Sequence, residues 1–158
     1  MTVMRKALIL GALSATLAGA PLLAQGEERM RPVTDPLTLK ECGECHMAFP
    51  PSLLSPGSWE VIMANLDKHY GENASLPEKD TAAITAYLTA SAGRWGSPGV
   101  SGTGGTEVTL PRFTESRHFA HEHRRFTPDR LARKGIKSIL DCVACHRGAE
   151  QGYYDDDD

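Results

Sequence analysis

The sequence predicts a small, mainly α fold in two halves, its helices joined by long irregular loops. Three observations predict it. Cys42-Gly43-Glu44-Cys45-His46 returns later in the chain as Cys142-Val143-Ala144-Cys145-His146. Apolar residues between the two copies recur at helical spacing, and no run alternates with the period of a strand. Residues 96–105 hold five glycines, two serines and Pro98, which marks a linker between the halves.

The repeated pattern carries the chemistry. Residues three apart share one face of a helical turn. Two thiols at that spacing can form thioethers with the two vinyl groups of one haem, and the adjacent histidine offers its imidazole to the iron. Cys-x-x-Cys-His therefore reads as a c-type haem attachment site. Two copies use all four cysteines of the chain. They predict two covalently attached haem c groups, held by Cys42, Cys45, Cys142 and Cys145, with His46 and His146 as proximal ligands. The same thiols could build a four-sulfur zinc site, a thioredoxin-like pair or two short disulfides. None of these explains a histidine directly after both pairs. A small c-type cytochrome is the expected result.

Residues 1–24 read as a cleaved secretory signal peptide. Arg5 and Lys6 give the positive start, residues 7–17 are apolar or small, and Leu22-Leu23-Ala24 offers a cleavage site. As a retained anchor the stretch is poor: Pro21 interrupts it, and a spanning helix wants about 20 strongly apolar residues. The signal implies the bacterial periplasm, where free cysteines tend to be oxidised unless haem captures them. The rest divides into an N-terminal haem domain (25–95), a linker (96–106), a C-terminal haem domain (107–154) and an acidic tail (155–158). Domains this small bury too little surface to be secure alone, and a buried porphyrin is the staple they would need.

Residues 25–34 show no periodicity and are expected to be a flexible lead-in. Asp35-Pro36 has the cap and first-turn residues of a helix start. That helix should carry the first motif and stop before Pro50-Pro51, and residues 52–57 should form a loop. A second helix over 58–70 presents Trp59, Ile62, Met63, Leu66, His69 and Tyr70 on one face and ends at Gly71. A third begins at Ser75, paired with Glu78 in a capping box, buries Ala83, Ile84, Tyr87 and Leu88, and ends at Gly93. In the second half, 114–126 is a short helix or an ordered loop, and Thr127-Pro128 starts a helical turn. Ser138 and Asp141 are cap residues for a helix carrying the second motif, stopped by Gly148.

Four histidines remain for the sixth positions: His69, His118, His121 and His123. His69 lies on the apolar face of its helix, where a lone histidine is more often a hydrogen-bonded core residue; a nearby iron changes that balance. Met63 shares the face, but a methionine there is usually core. No methionine follows the second motif. Histidine on both sides of both irons is the economical assignment, with the second distal ligand open among three candidates. Lacking an axial methionine, both haems should be low-potential. Filled sixth positions favour an electron carrier over an enzyme. The competing functions, a dihaem peroxidase or a haem-based gas-binding sensor, require an exchangeable ligand.

Charge is unevenly placed. Residues 25–95 carry ten acidic and six basic side chains, whereas 112–137 carry three acidic and eight basic. Such asymmetry can steer other redox proteins. Nothing resembles a nucleic-acid module.

Cys45-His46-Met47-Ala48-Phe49-Pro50-Pro51, Ser58-Trp59, Ile62-Met63, Leu66 and His69-Tyr70-Gly71 together resemble the bacterial periplasmic dihaem cytochrome c family. So do Ala86-Tyr87-Leu88, Phe119 and Glu122-His123-Arg124, and the similarity covers most of 38–150. The resemblance implies a periplasmic electron carrier with two bis-histidine haems, whose distal ligands are His69 and His123. It also implies two partners, a small oxygen-binding monohaem cytochrome c and a membrane b-type cytochrome. His69 follows His46 by 23 positions and His123 precedes His146 by 23. The chain departs from the family pattern at His118, where an aromatic is expected, at the additional His121, and in the tail from Tyr153 onward.

Overall fold

The computed structural model describes residues 29–93 and 110–154. The expected signal peptide, linker and acidic tail lie outside the described residues. Within them are five α-helices: α1 (Pro36–Gly43), α2 (Pro56–Met63), α3 (Glu78–Ala90), α4 (Arg117–Glu122) and α5 (Pro128–Arg133). Single 3₁₀ turns at Pro51–Leu53, Leu66–Lys68, Phe113–Glu115, Cys142–Ala144 and Ala149–Gln151 join them. The described residues form two isolated β-bridges and no sheet. None of their helices is long and apolar enough to cross a membrane.

Three helices start by the same device. Asp35, Ser55 and Thr127 each cap a helix whose next residue is proline. Proline's fixed φ suits the first helical position, where its missing N–H costs nothing. Each cap oxygen accepts the backbone N–H three residues on, that of Thr38, Ser58 or Arg130. The bonds from Thr38 hold the Asp35 carboxyl below the usual carboxylate range. Ser55-Pro56 therefore opens α2 inside the stretch expected to be a loop.

α2 is also shorter at its far end than the apolar stripe predicts. It stops at Met63, and the Asn65 side chain donates to the Val61 carbonyl at 2.8 Å, satisfying an oxygen the helix would otherwise leave open. His69 consequently stands on an irregular corner instead of a helix face. α1 likewise stops at Gly43, inside the motif it was expected to carry through, because glycine is a poor helix continuer. α3 starts at Glu78, not Ser75. Pro77 disfavours the helical conformation at Leu76, and the Ser75 N–H is instead taken by the Asn73 side chain at 3.0 Å. Ala83 faces solvent. Around the second motif the expected capped helix is a single 3₁₀ turn, and the Asp141 side chain makes no cap bond.

α2 packs on α3. Leu54, Trp59, Ile62, Met63, Ile84, Leu88 and Phe113 form one buried cluster. Trp59 is buried without polar cost because its indole N–H donates to the Pro51 carbonyl at 2.8 Å. Phe113 brings the described segment that begins at residue 110 into this same core. A second tie is the Tyr70 hydroxyl, which donates to the Pro111 carbonyl while Arg112 lies over the Tyr70 ring at 4.5 Å.

The described part of the lead-in is held, contrary to expectation. Arg29 bridges Tyr153 in antiparallel fashion, and the Met30 N–H donates to the Gly152 carbonyl at 2.8 Å. Val33 is buried, and the Thr34 N–H donates to the Tyr87 hydroxyl at 3.0 Å. Gly152 has φ +86, and a Cβ there would collide with the Met30 carbonyl oxygen. Periodicity could not reveal this segment because its partners lie far along the chain, the Tyr87 hydroxyl 53 residues on and the backbone at 152–153 more than a hundred.

Candidate haem-binding sites

The first site is built from the end of α1 and the corner after α2. Cys42 sits half-buried in the last turn of α1, and Cys45 is exposed just beyond it. The His46 Nδ1–H donates to the Met47 carbonyl at 2.7 Å, which puts the ring's lone pair on Nε2. A backbone carbonyl on the far nitrogen is the usual orienting partner of a metal-bound imidazole. Phe49 stacks on the His46 ring, with centroids 4.6 Å apart and planes at 14°.

Facing His46 is His69. Its centroid lies 6.2 Å from that of His46, with planes only 18° apart. The corner that presents it is a tight turn: the Glu72 N–H donates to the His69 carbonyl at 3.0 Å, across Tyr70 at φ +52 and Gly71 at φ +107. Burial lowers the His69 pKa, as does repulsion from His46 whenever that ring is protonated, and this favours a neutral ring with a lone pair to give. Its Nδ1 is buried with no hydrogen-bond partner among the protein groups.

The second site is made by α4 and the turn at Cys142–Ala144. Just after that turn the His146 N–H donates to the Cys142 carbonyl at 2.7 Å. Burial pushes the Cys142 thiol up to about 11 and keeps it protonated. Ser116 caps α4 by accepting from the Phe119 N–H, and His123 follows the last helical residue. Both the backbone N–H of His123 and its Nδ1–H donate to the Phe119 carbonyl, at 2.9 and 3.0 Å. The Phe119 ring lies flat on the imidazole, centroids 3.9 Å apart and planes at 6°. The His123 and His146 centroids are 6.1 Å apart, with planes at 70°. Between them opens a cavity of about 1070 Å³ bordered by Phe119, Cys142, Cys145 and Tyr154, on the scale of a cofactor pocket. A second cavity of about 740 Å³ continues it beneath Leu131 and Ile136.

The spacing of both pairs fits one iron between two imidazoles. Imidazole nitrogens bind first-row metals at about 2.0–2.1 Å, so two rings on opposite sides of one ion have centres about 6.3 Å apart. Contact stacking would bring them closer, as it does for Phe119 and His123. The described cysteines form no disulfide, and no group of three or more metal-ligating side chains converges among the described residues.

His118 and His121 are exposed. His121 approaches Glu122, Nε2 to Oε1 at 3.8 Å, while His118 borders the larger cavity from its rim. Met63 is buried in the core. Sequence reasoning named Phe49 and Phe119 without giving them a stacking role. Their signal was spacing alone, since Phe49 lies three residues after His46 and Phe119 four before His123. With Phe113 they join the sites: Phe49 meets Phe113 edge-on at 4.9 Å, and Phe113 meets Phe119 at 5.6 Å.

The dihaem cytochrome c family model matches residues 38–154. Among solved structures, the chain is similar to a diheme cytochrome c from Rhodobacter sphaeroides at 41% identity. That match covers 78% of this chain and 98% of that one, with a TM-score of 0.63. It is also similar to a diheme cytochrome c from Shewanella baltica at 33% identity, covering 76% and 86%, with a TM-score of 0.61. No curated protein matches.

Proposed function

Because the chain belongs to the dihaem cytochrome c family, we propose that it is a periplasmic electron carrier whose two haems are low-potential and ligated by histidine on both sides. Its two haem c groups are covalently bound, its Cys-x-x-Cys-His motifs fit that attachment, and the family's work is haem-based electron transfer. When bound, the haems supply a one-electron ferric/ferrous couple. The chain's own residues do the rest. Cys42, Cys45, Cys142 and Cys145 fix each porphyrin by thioethers, and His46 and His146 take the proximal positions. His69 and His123 are the distal ligands in this proposal.

The observation that carries it is the pair of imidazole separations, 6.2 and 6.1 Å. With a histidine opposite each proximal ligand, no position would remain for peroxide or a gas, and this supports a carrier over a peroxidase or a sensor. Histidine in place of axial methionine supports low potentials. The test is the absorption spectrum of the purified holoprotein. It should be low-spin at both haems and unchanged by carbon monoxide or peroxide. A high-spin band, or a shift on adding either, would favour the peroxidase or sensor.

The partners we propose are other redox proteins, among them a monohaem oxygen-binding cytochrome c and a membrane b-type cytochrome. Arg124, Arg125, Arg130, Lys134 and Arg147 border the larger cavity, against Glu122 and Asp141. A surface so charged attracts an acidic partner face. Electron exchange with such a partner should slow roughly tenfold as salt shortens the screening length. Stopped-flow rates independent of ionic strength would leave this rim without a docking role.

A further inference from the structure

The two sites hold their histidine pairs differently. His46 and His69 are nearly aligned, at 18°, whereas His123 and His146 are crossed, at 70°. The difference originates in the chain and not in the haem. On α4, the Phe119 ring lies against one face of His123 and the Phe119 carbonyl holds its Nδ1–H. One residue thus fixes both the tilt and the rotation of this imidazole. Residues four apart on a helix are neighbours, so the plane of His123 follows from the helix itself. Phe119 is in turn braced edge-on by the buried Phe113, at 76°. The His146 ring follows the 3₁₀ turn at Cys142–Ala144 and meets Tyr154 at 57°. At the first site Phe49 lies within 14° of the His46 plane, so three rings there share one orientation.

We propose that Phe119 is a positioning residue that holds His123 crosswise to His146 and so makes the second haem electronically distinct from the first. The inference rests on the bis-histidine ligation proposed above. Each axial imidazole mixes its filled π orbital with the iron d orbital perpendicular to its own ring. Aligned rings act on the same d orbital and split it from its twin. Crossed rings act on one orbital each and leave the two nearly equal in energy. Splitting raises the half-filled level of the ferric state, which makes that electron easier to lose and the iron harder to reduce. The crossed site is therefore the more readily reduced of the two. The cations around it act in the same direction, since positive charge favours the reduced iron. Orientation of a ligand by its outer partners is a general means of tuning a metal, and here it would order electron flow from the first site to the second.

Low-temperature electron paramagnetic resonance of the oxidised holoprotein tests this. Two low-spin signals are expected: a rhombic one with three resolved features, and a strongly anisotropic one seen as a single feature at lower field. In a stepwise reductive titration the low-field signal should vanish first. Phe119→Leu removes the stacked ring, so the low-field feature should shift toward the rhombic position while the first signal stays. Phe119→Tyr keeps the ring and should keep the spectrum. Two rhombic signals in the unaltered protein, or the reverse order of reduction, would overturn the proposal. So would a Phe119→Leu protein that retains two low-spin haems and an unchanged low-field signal. Should Phe119→Leu fail to fold, the unaltered spectrum and the Phe119→Tyr protein still decide. A high-spin signal before any substitution would instead overturn the ligation itself, and this inference with it.

Discussion

His69→Ala should convert the first haem from low-spin to at least partly high-spin and let its ferrous form bind carbon monoxide, while the second haem is unaffected. The imidazole that this change deletes faces His46 at 6.2 Å, presented by a tight turn through Tyr70 and Gly71. Truncation to a methyl group leaves the turn intact but opens the sixth position to water. Because Cys42 and Cys45 still hold the porphyrin, haem content should remain two per chain by pyridine haemochrome. His123→Ala should do the same at the second haem. His118→Ala and His121→Ala, at exposed positions, should leave both irons low-spin. If one of these two opened a site while His123→Ala did not, the second distal ligand would have to be reassigned.

The chain deprived of haem, with Cys42, Cys45, Cys142 and Cys145 all replaced by alanine, should lose its cooperative thermal transition entirely. The described residues bury only ten hydrophobic side chains, and Phe113, Leu131 and Ala149 are the only ones contributed by residues 110–154. Those three cannot hold a segment whose helices, α4 and α5, are six residues each. Isolated helices shorter than about 12–15 residues are marginal in water. The same segment encloses the 1070 Å³ cavity, so without porphyrin it has more space than core. Near-ultraviolet circular dichroism followed through a melt would check this. A sharp transition in the haem-free chain would show that α2 and α3 suffice to hold the fold.

What the sequence made legible follows from how local each signal is. The repeated motif shows both attachment sites because thioether chemistry fixes its spacing within five residues. Asp35-Pro36 and Thr127-Pro128 announce their helices for a similar reason: a cap acts within one turn. Ser55-Pro56 carried the same information and was masked by the serine and proline content around it. The corner at His69 was not legible from periodicity. The apolar stripe continues past Met63, while the chain leaves the helix there and the Asn65 side chain takes up the Val61 carbonyl. His69 nevertheless comes to face His46, because a corner can present a side chain to the same space as the helix it replaces. The crossed and aligned ring planes lay beyond sequence reasoning, since they depend on angles set by stacking partners.

The tie between Met30 and Gly152 bears on the order in which this protein can be completed. Synthesis runs from the N-terminus, so residues 29–30 emerge early and wait for partners that come after both Cys-x-x-Cys-His motifs. Closing a loop of that length is slow relative to forming any single helix. The strap cannot fasten until the chain beyond the second motif is present, so both attachment sites are presented before this end of the fold closes.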